Sequence, residues 1–284
     1  MRGQSGREAP SIWRWPACGS GAGRVAGRDD DARLLPYAGY RFPAEVISHA
    51  VWLYFRFPLS LRMVEEMLAA RGIIGSHETI RQWALKFGQD FANRNRRRLP
   101  RTGDKWHSDE VVIKIAGKKH WVSRAVDQDG IVLDILVQSR RDKSAAKRLL
   151  GKLLKRQCRA PRVMITDKLA SYGAAKDEVM PCVEHRRHKG LNNRAENSHQ
   201  PTRRRERQMK RFKSAGQTQR FLAAHDQINN LFHLRSDHVT ADQYRAARTQ
   251  AFQTWPRSSA APFEIAVNVL SPGRPYRFSF SHTS

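Results

Sequence analysis

The chain has 284 residues, 40% of them apolar, enough to bury one substantial core and a small second one. Lys and Arg number 52 against 26 Asp and Glu, and the resulting net charge of +26 implies a strong, salt-sensitive attraction to nucleic acid. The longest apolar stretches, residues 51–55 and 131–137, fall far short of the roughly 20 residues needed to span a bilayer, the opening Met1-Arg-Gly-Gln-Ser lacks a secretory pattern, and Cys18, Cys158 and Cys182 form no C-x-x-C pair, so a membrane protein, a secreted protein and a zinc finger are not expected.

Residues 1–40 are rich in Gly, Arg and Ala without sustained periodicity and read as a mobile extension. From Pro43 the pattern changes. Val46, Ile47, Ala50, Val51 and Tyr54 recur at helical spacing, and Pro58 requires the helix to have ended. Leu61, Val64 and Leu68 mark a second helix with Gly72 as a left-handed cap. Ser76 then caps a third helix with Ile80, Trp83, Ala84 and Phe87 on one face. Residues 41–93 therefore read as a helix-turn-helix unit. The polar face of the third helix carries Thr79, Arg81, Gln82 and Lys86, side chains suited to phosphates and base edges. Residues 94–104 follow as a basic linker, with Arg96, Arg97 and Arg98 as candidate backbone contacts.

Beyond it, residues 111–115, 119–126 and 131–137 predict three antiparallel strands, with Asp129-Gly130 as the second turn. A helix over 142–157 turns Ala145, Ala146, Leu149, Leu150, Leu153 and Leu154 inward, and a compact strand at 162–166 ends at Asp167. A helix near 168–178, a short strand around 182–188 and a helix opened by Asn192-Asn193 complete a βββαβαβα order within residues 105–240. This last helix bears Glu196. The basic run from Pro201 to Lys213 follows it, and with Lys168 puts Arg203, Arg204, Arg205 and Arg207 forward as phosphate contacts. Residues 241–284 read as a C-terminal helix and tail, with a linker-like stretch opening at Pro256. Residues 1–40 and 257–284 are expected to be dispensable for folding.

The element order resembles the ribonuclease H-like fold, an α/β mixed sheet in which an Asp on the first strand, an Asp at the end of the fourth and a Glu on a later helix meet at one sheet edge. Asp109, Asp167 and Glu196 occupy those three positions. Taken singly, each has an ordinary reading: strand-edge solvation, an Asx turn, a first-turn charge on a helix. Their joint placement favours a metal site, because a pair of Mg²⁺ ions needs hard oxygen ligands around open positions for water and phosphate. Asp104, Asp127 and Asp129 compete less well; Asp134, inside the third strand, is the strongest decoy. His185 and His188 fall on opposite strand faces and suggest no second metal site. No phosphate-binding loop for a nucleotide cofactor occurs.

The words around the acids go further. Trp106-His-Ser-Asp-Glu-Val, Arg124-Ala-Val-Asp-Gln-Asp-Gly, Ser139-Arg-Arg-Asp-Lys-Ser, Thr166-Asp-Lys-Leu-Ala-Ser-Tyr-Gly, Val183-Glu-His-Arg-Arg-His-Lys, Asn192-Asn-Arg-Ala-Glu-Asn and Phe212-Lys-Ser together resemble the DDE transposases of bacterial insertion sequences, in the compact insertion-sequence family six. The resemblance covers about residues 41–240 and implies that Asp109, Asp167 and Glu196 are both catalytic residues and ligands of two Mg²⁺ ions, with Mn²⁺ able to substitute. It implies binding to terminal inverted repeats, strand cleavage and joining to target DNA, a homo-oligomer pairing two ends, a replicative outcome, and a bacterial, cytoplasmic, nucleoid-associated protein. A shorter interval between Asp167 and Glu196 than in better-known members places a trimmed helix or loop near residues 176–181. Two rival readings are a catalytically inactive helix-turn-helix regulator and a ribonuclease H-like nuclease; the intact acidic triad argues against the first, the helix-turn-helix against the second.

Overall fold

The computed structural model describes residues 37–99, 101–167, 169–234 and 239–259. Three helices come first: α1 (Ala44–Arg56), α2 (Leu61–Ala69) and α3 (His77–Arg98). Pro58 lies just past the end of α1, and Ser60 and Ser76 cap α2 and α3 by accepting from the backbone N–H groups of Met63 and Thr79. Between α2 and α3 the chain turns through Gly72 at φ +74°, a left-handed value that glycine adopts without steric cost. At Gly88 a Cβ would stand 2.6 Å from the Phe55 ring, so the close approach of α3 to α1 depends on its absence. The three helices predicted from periodicity are present. The third helix runs on through Arg98, so residues 94–98 of the expected linker are helical.

The sheet has the order β3-β2-β1-β4-β5. Strands β1 (Lys105–Ile115), β2 (Lys118–Asp127) and β3 (Val132–Gln138) form an antiparallel meander; β4 (Val163–Thr166) joins β1 in parallel, and β5 (Glu184–Arg187) joins β4 in parallel. The parallel pairings require crossovers, supplied by α4 (Lys143–Gln157) and α5 (Ala170–Val179). These helices cover one face of the sheet, burying Leu149, Leu150, Leu153 and Tyr172 against Trp106, Leu133 and Met164. Each such side chain contributes about 1.5–3 kcal/mol on leaving water. This strand order, with two crossover helices on one face, is the ribonuclease H-like α/β arrangement.

After β5 come a 3₁₀ turn (Lys189–Leu191), α6 (Asn193–Ser198), α7 (Gln200–Gln208), α8 (Ala215–Leu231) and α9 (Ala241–Ser259). On this other face Ile113, Ile115, Val122 and Ile135 share a continuous core with α8 and with the N-terminal helices, through Phe55, Phe87, Phe91, Phe221, Leu222 and Trp255. The N-terminal helices are therefore packed onto the sheet and α8 rather than held away from them by a linker.

Two boundaries shift. Tyr37, within the stretch expected as an extension, is buried against Phe87 with ring centroids 5.1 Å apart and donates its hydroxyl to the Ser259 carbonyl. The expected linker at Pro256 is instead the end of α9: Ser258 accepts from Arg98 at 3.2 Å and Ser259 from Ser48 at 2.7 Å. A proline is tolerated there because helix packing, with Trp255 edge-on to Phe91 at 5.6 Å, holds the last turn in place. Residues 37–40 and 257–259 thus complete the fold; the remaining expectations for residues 1–36 and 260–284 lie outside the described residues.

Candidate active site

Register alone brings the first two acids together. Ser108 pairs with Thr166 as the last step of the parallel β1–β4 ladder, so Asp109 and Asp167 leave adjacent strands side by side. Asp109 shares a face of β1 with His107 and Val111, the face toward α6 and α7, whereas Glu110 points the other way. Glu196 arrives on α6, a helix too short to hold itself and pinned at both ends. At its start, buried Asn192 donates to the Ser108 carbonyl at 3.0 Å. At its end, Arg124, the residue paired with Asp109 across the β1–β2 ladder, donates to the Ser198 carbonyl and to Thr202 at 2.5 Å. Arg124 is buried and neutralised by Asp226 of α8, Nη2 to Oδ2 2.9 Å.

The electrostatics mark the same point. Burial first, and then the carboxylates of Asp167, Glu196 and Glu110, push the Asp109 carboxyl up to about 6, against the backbone N–H of Glu110, which favours the charged form. Among the described residues, no three Asp, Glu, His or Cys side chains are gathered closely enough to hold a metal ion as they stand. Asp167 is turned toward Arg141, whose Nη2 lies 3.5 Å from Oδ2, and its other oxygen accepts from the Leu169 N–H at 3.1 Å. Arg141 also donates to Glu110 at 2.6 Å and lies over the Trp121 ring at 4.7 Å. The donor set nevertheless suits a hard divalent cation: three carboxylates from three elements, one of them held above the usual carboxylate range by burial and by the others.

A cavity of about 430 Å³ opens beside Asp109 and Glu196, lined also by His199, Gln200, Arg203, Arg204 and Arg207. This is the exposed face of α7. Three of the four arginines named from the sequence there stand at the cavity; the fourth does not. Arg205 is turned inward and only 1% exposed, donating to the carbonyls of Phe57 and Leu59, so it is no phosphate contact. The helix period makes the difference, since positions 202 and 205 lie on the buried side.

The other expected contacts are elsewhere. On α3, Arg81 and Gln82 are exposed, with Arg81 held by Glu78 at 2.6 Å; Thr79 bonds Ser76 at 3.0 Å, and Lys86 lies over the Tyr40 ring at 4.7 Å. Arg97 is exposed, Arg98 reaches Ser258, and Arg96 is half-buried within the influence of Asp134 and Arg156. Lys168 lies outside the described residues. The decoy resolves as structural: Asp134 is buried and ion-paired to Lys152 at 3.0 Å and Arg156 at 2.6 Å of α4.

The sequence reading passed over His199, Arg124 and Arg141. His199 is buried, with neither ring nitrogen hydrogen-bonded and Nε2 3.5 Å from Asp109 Oδ2. Burial, with Arg124 and Arg203, holds this imidazole well below its ordinary range, hence neutral. A position three residues beyond Glu196, one helical step along the same face, was the signal available.

Because the folded protein holds the Asp109 proton more tightly than the unfolded chain, its contribution opposes folding as pH rises from about 4 to about 6 and is fully present above that, on the order of 2 kcal/mol. In chelator, Asp109→Asn is therefore expected to melt higher than the parent at neutral pH and level with it near pH 4. Thermal melts across that range check it; an unchanged gap at both ends would exclude Asp109 as the group responsible.

A family model described as a DDE domain matches residues 103–235. The chain is 32% identical over 171 residues to the transposase for insertion sequence element IS257 in transposon Tn4003 of Staphylococcus aureus, covering 58% of this chain and 76% of that one. The same figures hold for the transposase of insertion sequence-like element IS431mec from the same species. A solved HTLV-2 integrase catalytic core in complex with magnesium is similar at 18% identity and a TM-score of 0.28, over 35% of this chain and 67% of that one, a likeness too slight to bear on the site.

Proposed function

Since this chain belongs to the DDE transposases of bacterial insertion sequences, in insertion-sequence family six, we propose that Asp109, Asp167 and Glu196 are its catalytic carboxylates and that it cuts and joins DNA at its own element's terminal repeats. The observation that carries this reading is the placement of Asp109 and Glu196 at an arginine-lined cavity, with Asp167 at the end of the strand paired to that of Asp109. Acids alone would repel a polyanion; arginines alone would only hold one. Side by side, they bring phosphate to the point where hard-cation ligands wait.

The three carboxylates would hold Mg²⁺, two ions at full occupancy, with Mn²⁺ as a substitute. Bound there, such cations supply Lewis acidity and an activated oxygen nucleophile for phosphodiester chemistry. The chain's own residues do the rest. Arg203, Arg204 and Arg207 grip the strand that enters the cavity. Neutral His199 offers a donor next to Asp109, and Arg141 balances Asp167 and Glu110 until a cation is present. Residues 41–93 read the terminal repeat through α3, and residues 105–240 perform two phosphoryl transfers, the first freeing a 3′-OH and the second joining it to target DNA. A homo-oligomer pairs the two ends.

The test is incubation of purified protein and Mg²⁺ with a duplex carrying the DNA that flanks its gene and with a shuffled duplex. Cleavage and joining confined to the first supports the reading; equal action on both would favour a structure-specific nuclease. In the same assay, Arg81→Ala is expected to lower discrimination between the duplexes by about 1–3 kcal/mol. Arg204→Ala should instead weaken binding to both and flatten the salt dependence by about one counterion. Unchanged discrimination in Arg81→Ala would place sequence reading on another face.

A further inference from the structure

Arg205 is one of the largest fully buried side chains of this protein, and a charged one. It sits on α7, nine positions after Glu196 on the segment that runs on from α6. Its guanidinium crosses to the N-terminal helices, where Nη1 donates to the carbonyls of Phe57 and Leu59, each at 2.8 Å. Those carbonyls belong to the short connection between α1 and α2, immediately before Ser60 caps α2. The guanidinium plane lies over the rings of Tyr54 at 4.6 Å and Phe221 at 5.1 Å, while Nε and Nη2 have no hydrogen-bond partner.

Burying this charge is expensive, and two carbonyls with two aromatic faces repay it only in part. An aliphatic side chain would fill the same space at lower cost. What the arginine adds is geometric: it ties one helix to two particular carbonyls of another unit, at a distance a nonpolar contact would not fix. A second contact runs the same way, Gln208 Nε2 to Met63 Sδ at 3.7 Å. At its other end, the α6–α7 segment is held to the sheet by Asn192 and Arg124. Glu196 therefore takes its position from the sheet on one side and from the helix-turn-helix on the other.

We infer that Arg205 is a positioning residue through which the DNA-reading helices set the placement of Glu196, so that occupancy of the helix-turn-helix by terminal DNA is felt at the catalytic acids. This rests on the assignment of Glu196 and of α3 given above. Such coupling needs only a small displacement, because a shift of about 1 Å in a catalytic group costs roughly 100-fold in rate.

Two variants and one measurement on the unaltered protein test it. Arg205→Met keeps the length and removes the charge; Arg205→Lys keeps a donor for the two carbonyls. At saturating terminal DNA, Arg205→Met is expected to slow cleavage roughly 10- to 100-fold while affinity for that DNA changes less than about threefold, and Arg205→Lys to recover much of the loss. In the unaltered protein, terminal DNA is expected to change amide exchange in residues 57–60 and 196–208 together. Cleavage by Arg205→Met at the parent rate overturns the inference. So does a Lys variant no better than Met, or exchange in the first segment that leaves the second unmoved; this last outcome decides the matter even if Arg205→Met does not fold. Full cleavage by Glu196→Gln would instead show that the assignment of the acids had failed.

Discussion

Strand transfer by Asp109→Asn, Asp167→Asn or Glu196→Gln is expected to fall by at least about a thousandfold, some 4 kcal/mol of transition-state stabilisation, with terminal-DNA affinity nearly intact. Each change removes one anionic oxygen at almost constant shape, so the fold and the cavity lining of Arg203, Arg204 and Arg207 are preserved. The three positions do not carry equal structural weight. Asp109 is the most enclosed, and its neutral variant relieves the burial of charge, and then the repulsion, that raise its pKa; Asp167 has Arg141 as partner, so Asp167→Asn frees that arginine to bind Glu110 alone. The inactive Asp109 variant should therefore be the most stable of the three in chelator. Joining assays in Mg²⁺ and Mn²⁺, run beside gel-shift titrations, measure both halves. Joining near the parent rate by any one variant removes that residue from the site.

Loss of Arg124 is expected to cost the most stability. Arg124→Met leaves Asp226 buried without its cation and releases the end of α6, and breaking a buried pair from one side typically costs about 3–5 kcal/mol. The double variant Arg124→Met with Asp226→Leu should recover most of that loss, because the penalty lies in the stranded charge more than in the missing attraction. Catalysis should not return with stability, since Ser198 and Thr202 remain without the donor that places α6. Chemical denaturation of the three proteins and the parent gives the coupling energy. A double variant as unstable as the single one would mean that Arg124 acts chiefly through the Ser198 and Thr202 contacts.

Much of this protein was legible from local sequence. Periods of two and of 3.6, with Pro58 and Gly72 as stops and Ser76 as a cap, gave most elements, because those signals act between residues no more than about four apart; the first strand, expected over 111–115, begins six residues earlier at Lys105. The βββαβαβα order then puts Asp109, Asp167 and Glu196 on neighbouring elements. The fates of the charged side chains were not legible in that way. In the arginine run of α7, Arg203, Arg204, Arg205 and Arg207 are chemically alike; Arg205 alone goes inward, because the carbonyls that receive it belong to residues 148 and 146 positions away. Arg124 and Asp134, both in strands, are each buried against an opposite charge supplied by a distant helix, α8 for one and α4 for the other. The basic stretch at 94–98 continues α3, and Ser258 and Ser259 seat against Arg98 and Ser48. Whether a charge faces water or the core depends on the partner waiting at the other end of its side chain, and only the folded chain brings that partner near.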